Sequence, residues 1–345
     1  MTEFLKPLSV LGIGSIPFEE GVSSCKEIFE SWDLPFWPQY PTHAPQENFI
    51  FQFLSSLPGL EVTEEKASFD ETEYLREAPE YQERLKRAFS EKSFLSFEPP
   101  REWALGFSQM KVLCEGGAFP EKKVIKLQVT GPGTVWNSFF LGQGLHHTLP
   151  IHRDLSLTLT AAGLAEIERV HSWGRRAVLL IDEPVPAKDL SGLKAMVTAF
   201  RNRGASVGLH VCSSAAWEGF EALGIDLFHF DLTTHPELSL ARRRFLQRFL
   251  KRKNWVAWGV VSTTRGNETR IEDFSGFLLD YLRQVSDEEL TVEEILRRSL
   301  IAPACGTGTL TPAQDEAILE SLRMTSETLK RKLGIHFPRF VFDKF

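Results

Sequence analysis

Short apolar runs recur along this 345-residue chain, most of them closed by a polar residue and separated by stretches with helical spacing. Runs at 8–13, 124–129, 177–181, 205–211, 225–230, 255–261 and 300–304 read as strands, and a poorly marked one is expected at 93–97, with 104–107 as a further candidate. The runs at 177–181 and 255–261 are apolar on both faces, the signature of parallel strands covered by helices. Helices are predicted over 19–31, 46–57, 71–89, 161–170, 190–203, 215–223, 238–249, 274–284 and 316–332, with an acid-rich segment at 287–298. Eight strands alternating with helices predict an α/β chain folded as a (β/α)8 TIM barrel, one domain over 1–345, with an enlarged insertion between the first and second strands. Residues 32–41 carry three prolines and four aromatics, which forbids a regular helix. They are expected to form an ordered loop across the body of the protein, over a site or on the barrel rim.

The polar residues that end the runs fall where barrel enzymes keep their chemistry: Ser15, Thr130, Asp182, His210, Cys212, Asp231, Thr263 and Cys305. Side chains two apart on a strand point to one face, so the His-x-Cys ending at His210 and Cys212 delivers an imidazole and a thiol side by side. Asp231 and Cys305 are two further donors at other strand ends. Nitrogen, thiolate and carboxylate ligands from several strands, with a position left open, describe catalytic zinc; a structural finger would need paired Cys-x-x-Cys knuckles, which this chain lacks. The alternatives at this level are a core pair for His210 and Cys212 and a helix cap for Asp182.

Charge and composition narrow the partners. A net charge of -7 gives no reason to expect nucleic acid or an anionic membrane. With no apolar run of the roughly 18 residues a bilayer needs, and no charged-then-apolar leader, the expected address is the cytoplasm. Four irregularly spaced cysteines do not make a disulfide framework, and Cys25 and Cys114 read as free thiols. The 27 Phe and 8 Trp fill a core or line a cavity.

With those endings in place, the chain resembles the catalytic domain of cobalamin-independent methionine synthase, in the superfamily that includes uroporphyrinogen decarboxylase. The resemblance rests on Ile13-Gly14-Ser15-Ile16-Pro17, Val129-Thr130-Gly131-Pro132, Ile181-Asp182-Glu183-Pro184, His210-Val211-Cys212 and Cys305-Gly306. It implies that His210, Cys212 and Cys305 are zinc ligands, with Asp231 where the family has a glutamate ligand and His229 as a competitor for that place. It further implies that Asp182 holds the amino group of homocysteine and acts in catalysis with Cys212, that the Ser15 backbone helps to hold the amino acid, and that Trp136 flanks the methyl donor. The substrate-gripping acid of the family's first large loop has only Glu47 and Glu71 as candidates. Departures from the family's pattern bear on the donor: there is one barrel's worth of chain, and the family's catalytic histidine has no counterpart in Val260-Val261-Ser262-Thr263-Thr264-Arg265. The expectation is a short-form zinc-dependent methyltransferase acting on a small thiol, homocysteine foremost, with a methylcorrinoid, free or on a carrier protein, as donor in place of folate. The alternatives are a non-catalytic or regulatory zinc-binding barrel and a uroporphyrinogen decarboxylase-like lyase.

Overall fold

The strand that ends in Asp182 lies one place in from an edge of the structure's main sheet. In the computed structural model, which describes residues 4–18, 24–145, 150–213, 217–234, 236–264 and 270–334, six parallel strands follow one another in sequence order. A two-stranded antiparallel hairpin, β1 (Leu60–Val62) and β2 (Ala67–Phe69), precedes them, and the sheet itself is β3 (Val124–Thr130), β4 (Arg176–Asp182), β5 (Ser206–Val211), β6 (Leu227–Asp231), β7 (Trp255–Val261) and β8 (Ser299–Pro303). The helices are α1 (Ser24–Ser31), α2 (Glu71–Glu91), α3 (Leu105–Glu115), α4 (Pro132–Ser138), α5 (Ile151–Ser172), α6 (Ser191–Asn202), α7 (Leu240–Lys251), α8 (Ser275–Val285), α9 (Val292–Leu296) and α10 (Pro312–Lys332).

The sheet curls. Between its edges β8 and β3 run two short segments tied in by single parallel bridges: Val10 to Ile301, Leu11 to Leu34, and Phe36 to Lys126. Side chains from these segments and from the strands fill one interior, where Leu11, Ile13, Leu34, Val178, Leu180, Leu227, Ala257 and Leu300 are buried together. A larger apolar layer lies between sheet and helices. Each β4 residue from Val178 on is sealed on one side or the other, which is why Ala177–Ile181 carries no polar residue.

Several expectations change. Among the described residues the parallel sheet has six strands, where eight were expected. Residues 93–97 and 104–107 supply no strand: Leu95–Phe97 is a 3-10 turn and 104–107 enters α3, because Pro99-Pro100 ends any extended run and Ala104 stands at the helix start. The second wall position is taken by Leu34–Phe36, inside the proline-rich stretch, and its aromatics are buried, Trp37 and Tyr40 included. The enlarged insertion therefore lies after the second wall segment, where β1, β2, α2 and α3 occupy the chain before β3. Residues 46–57 do not form the predicted helix: after a 3-10 turn at Pro45–Glu47, the Asn48 side chain accepts from the Ile50 N–H and the backbone continues in turns. Of the helix expected at 215–223, the described residues 217–223 hold the 3-10 turn Phe220–Ala222, which Gly219 opens at φ +86°; residues 215–216 lie outside the described residues, as do 19–23 of the first predicted helix.

Candidate metal centre

The ladder register sets the site. Thr130 pairs with Asp182, Asp182 with His210, and His210 with His229, so adjacent strands present these residues at one level near their carboxyl ends. Cys212 follows β5 directly and Cys305 stands two residues past β8. The donor atoms of His210, Cys212 and Cys305 all lie within 4.8 Å of one another. His210 is buried; both cysteines are partly exposed at the mouth.

This donor set fits zinc. Two sulfurs bonded at about 2.3 Å to a tetrahedral zinc stand about 3.8 Å apart, and the two Sγ atoms are separated by 3.8 Å. His210 Nε2 is 4.0 Å from the Cys305 sulfur. Without an ion the two cysteines share one negative charge. The hydrogen bond shared by the two sulfurs, together with the His210 ring, holds the Cys305 thiol well below its ordinary value, while the same bond and burial hold Cys212 well above. Burial lowers His210, but the Cys305 sulfur and Asp182 outweigh it, and the net shift is upward.

Asp231 is not brought into this group. Its Oδ1 accepts from the Thr233 N–H and hydroxyl and from the Thr234 N–H, and its Oδ2 accepts from the Thr234 hydroxyl, so the carboxylate ties down the turn after β6. His229 contacts the far side of the His210 ring through Nδ1. Asp182 is buried, with an Oδ1 that has no hydrogen-bond partner; burial pushes its carboxyl up, and His210 and Lys126 oppose that.

Ser15 holds the loop that carries Cys305. Its carbonyl accepts from the Thr307 N–H and hydroxyl, and its Oγ from the Gly308 N–H. A Cβ on Gly306 would meet Ser15 Oγ at 2.0 Å, which explains the glycine after Cys305. Trp136, in α4, stacks on His152 at 3.6 Å and on Phe140. Glu47 is a buried staple that accepts from the Tyr40 and Leu105 N–H groups and from Gln52, and Glu71 opens α2.

Lys126, Gln128 and Glu166 were not foreseen. Lys126 is fully buried, donates to the Ile13 carbonyl and to Gln128, and is lowered to about 8 by burial. The signal was present: Lys126, Gln128 and Thr130 recur at the strand period within an apolar run. Glu166 accepts from Trp37 Nε1 and is held well above the usual carboxylate range by burial.

A curled parallel sheet with one imidazole and two thiols at its carboxyl edge defines the class: an α/β protein with a potential His/Cys/Cys metal site. No protein-family model matches the chain, and no curated protein matches it. Among solved structures it is similar to a B12-independent methionine synthase from Shewanella sp. W3-18-1 in complex with selenomethionine, at 15% identity and a TM-score of 0.39, over 65% of this chain and 68% of that one. No helix among the described residues is long and apolar enough to cross a membrane.

Proposed function

We propose that this chain is a zinc-dependent methyltransferase that moves a methyl group to a small thiol, homocysteine foremost, on a (β/α)8 barrel closed by the two bridging segments and formed by one domain. The observation that carries the reading is the convergence of His210, Cys212 and Cys305 within 4.8 Å at the ends of β5 and β8. Three protein ligands leave a fourth position, which is the catalytic pattern for zinc. Zinc supplies one thing here, a substrate sulfur held as thiolate at neutral pH.

The chain's own residues supply the rest. Asp182, at the level of His210 in the next strand, offers an unpaired buried carboxylate oxygen to an ammonium group, and such a partner lets it stay ionised despite burial. Ser15 fixes the Cys305 loop in place. Cys212 and Cys305 would hold the metal as thiolates, and their negative charge would leave a substrate sulfur beside them electron-rich. In the transfer, the thiol gives its proton to solvent at the partly exposed mouth, the sulfur–carbon bond forms and the donor's bond to methyl breaks with its electron pair leaving on the donor. The methionine synthase-like motifs support homocysteine. The absence of histidine from 260–265 supports a donor whose leaving group needs no proton, a methylcorrinoid, free or on a carrier protein.

Metal analysis of the purified protein, joined to methyl transfer from methylcobalamin to homocysteine, tests this. The wild type is expected to hold about one zinc per chain, on the one three-donor group, and to make methionine; Cys212→Ala is expected to lose both. Zinc retained in the variant, or rapid transfer from methyltetrahydrofolate, overturns the reading of the ligand or of the donor respectively.

A further inference from the structure

His229 is fully buried on β6 and stands outside the donor group of His210, Cys212 and Cys305. We propose that His229 is a positioning residue: it dictates which nitrogen of His210 faces the metal, through a relay of two imidazoles that ends on the backbone carbonyl of Pro303. The inference rests on the metal-site reading above.

The relay follows from what each atom can do. His229 Nε2 stands 3.0 Å from the Pro303 carbonyl oxygen, which can only accept, so that nitrogen carries a proton. A neutral imidazole has one N–H, so His229 Nδ1 is a bare acceptor. His210 Nδ1 lies 2.5 Å from it, and two bare nitrogens at that distance would repel; His210 Nδ1 therefore donates. Its remaining nitrogen, Nε2, is the one turned toward Cys305, and in the neutral ring that nitrogen is free to bind a cation. The His210 tautomer is thus set from behind, by hydrogen bonding rather than by the metal.

Two features of the surroundings fit this use. The residue paired with His229 across the β6–β7 ladder is Ala257, whose small side chain leaves room for a second ring beside His210. Pro303 lies two residues before Cys305 on the same strand end, so the relay ties the imidazole ligand to the segment that carries the sulfur facing it. A carboxylate in the place of His229 would orient His210 equally well, but would put a third negative charge beside two thiolates. The neutral relay adds none.

Direct nitrogen spectroscopy and two substitutions test this. In 15N-histidine-labelled protein, long-range 1H–15N correlations are expected to show His229 with a bare Nδ1 and a protonated Nε2, both zinc-loaded and after chelation. The opposite tautomer in both states overturns the proposal. His229→Phe is expected to weaken zinc binding, measured by chelator competition, by about 10- to 100-fold, and His229→Asn, which restores an acceptor near the Nδ1 position, to recover most of that loss. A folded His229→Phe protein with wild-type zinc affinity sinks the idea, and so does an Asn variant no better than Phe. If His229→Phe does not fold, the spectroscopic arm decides alone on the wild type. Neither readout involves methyl transfer, so an inactive protein with the expected tautomer and affinities would overturn the enzymatic reading and leave the relay standing.

Discussion

The chain holds two neighbouring pairs of free cysteines in opposite chemical states. Cys25 in α1 and Cys114 in α3 are buried neighbours, and burial pushes both thiols up, Cys114 to about 11 even though Arg175 donates to its sulfur at 3.1 Å. Cys212 and Cys305 are only partly buried, and there one sulfur is pushed down by the hydrogen bond the pair shares and by a nearby imidazole. The difference is not residue type. A thiolate needs donors aimed at the sulfur in a place water still reaches; without that access, one guanidinium contact does not overcome desolvation.

The sharpest way to break this comparison is chemical labelling. With metal removed, iodoacetamide at pH 7 is expected to modify Cys305 at least ~1000-fold faster than Cys25 or Cys114, since a thiol near 11 is ionised only about one part in ten thousand. Peptide mapping by mass spectrometry reads the rates site by site, and added zinc is expected to protect the mouth pair alone. Comparable labelling of all four cysteines would show that the two environments do not differ as described.

A smaller effect sharpens the same contrast through pH. Zinc needs both mouth sulfurs as thiolates, but the metal-free pair retains the Cys212 proton, so binding must expel it. Apparent zinc affinity is then expected to rise about tenfold for each unit of rising pH, and more steeply at low pH, where the upward-shifted His210 also gives up a proton. Chelator competition between pH 6 and 8 checks the slope. A flat profile would mean that the pair is already doubly ionised.

How much of this was readable beforehand depended on the scale of the signal. β4 and β7 announce themselves because both faces are sealed and the runs 177–181 and 255–261 within them contain only apolar residues and glycine. The two wall segments near Val10 and Leu34 could not be read as strands. Each contributes a bridge or two, and the second is held by burial of Phe36 and Trp37 among prolines rather than by alternation. At the site, His210 and Cys212 were legible because strand period alone puts them side by side. Cys305 was legible as a polar ending. Asp231 looked like a ligand for the same reason, and only the Asp-Leu-Thr-Thr order at 231–234 hinted that the next turn would occupy its oxygens. The relay through His229 was out of reach, since it depends on the β5–β6 register and on the Pro303 carbonyl, neither of which leaves a mark in the sequence.

The mildest test asks whether the buried pair does anything except pack. Cys25→Ser replaces a weakly polar sulfur in an apolar setting with a hydroxyl that must be desolvated, at a cost of about 1–2 kcal/mol, read as a fall in Tm of about 1–3 °C. Zinc affinity should not change. Cys212→Ser is expected to do the reverse: at the partly exposed mouth its hydroxyl keeps access to water, so the metal-free protein should lose less than ~0.5 kcal/mol, while zinc binding collapses for want of a thiolate. Each variant is the control for the other. A Cys25→Ser protein that bound zinc more weakly would couple the α1–α3 interface to the mouth of the sheet, and the separation of packing sulfur from reactive sulfur would no longer hold.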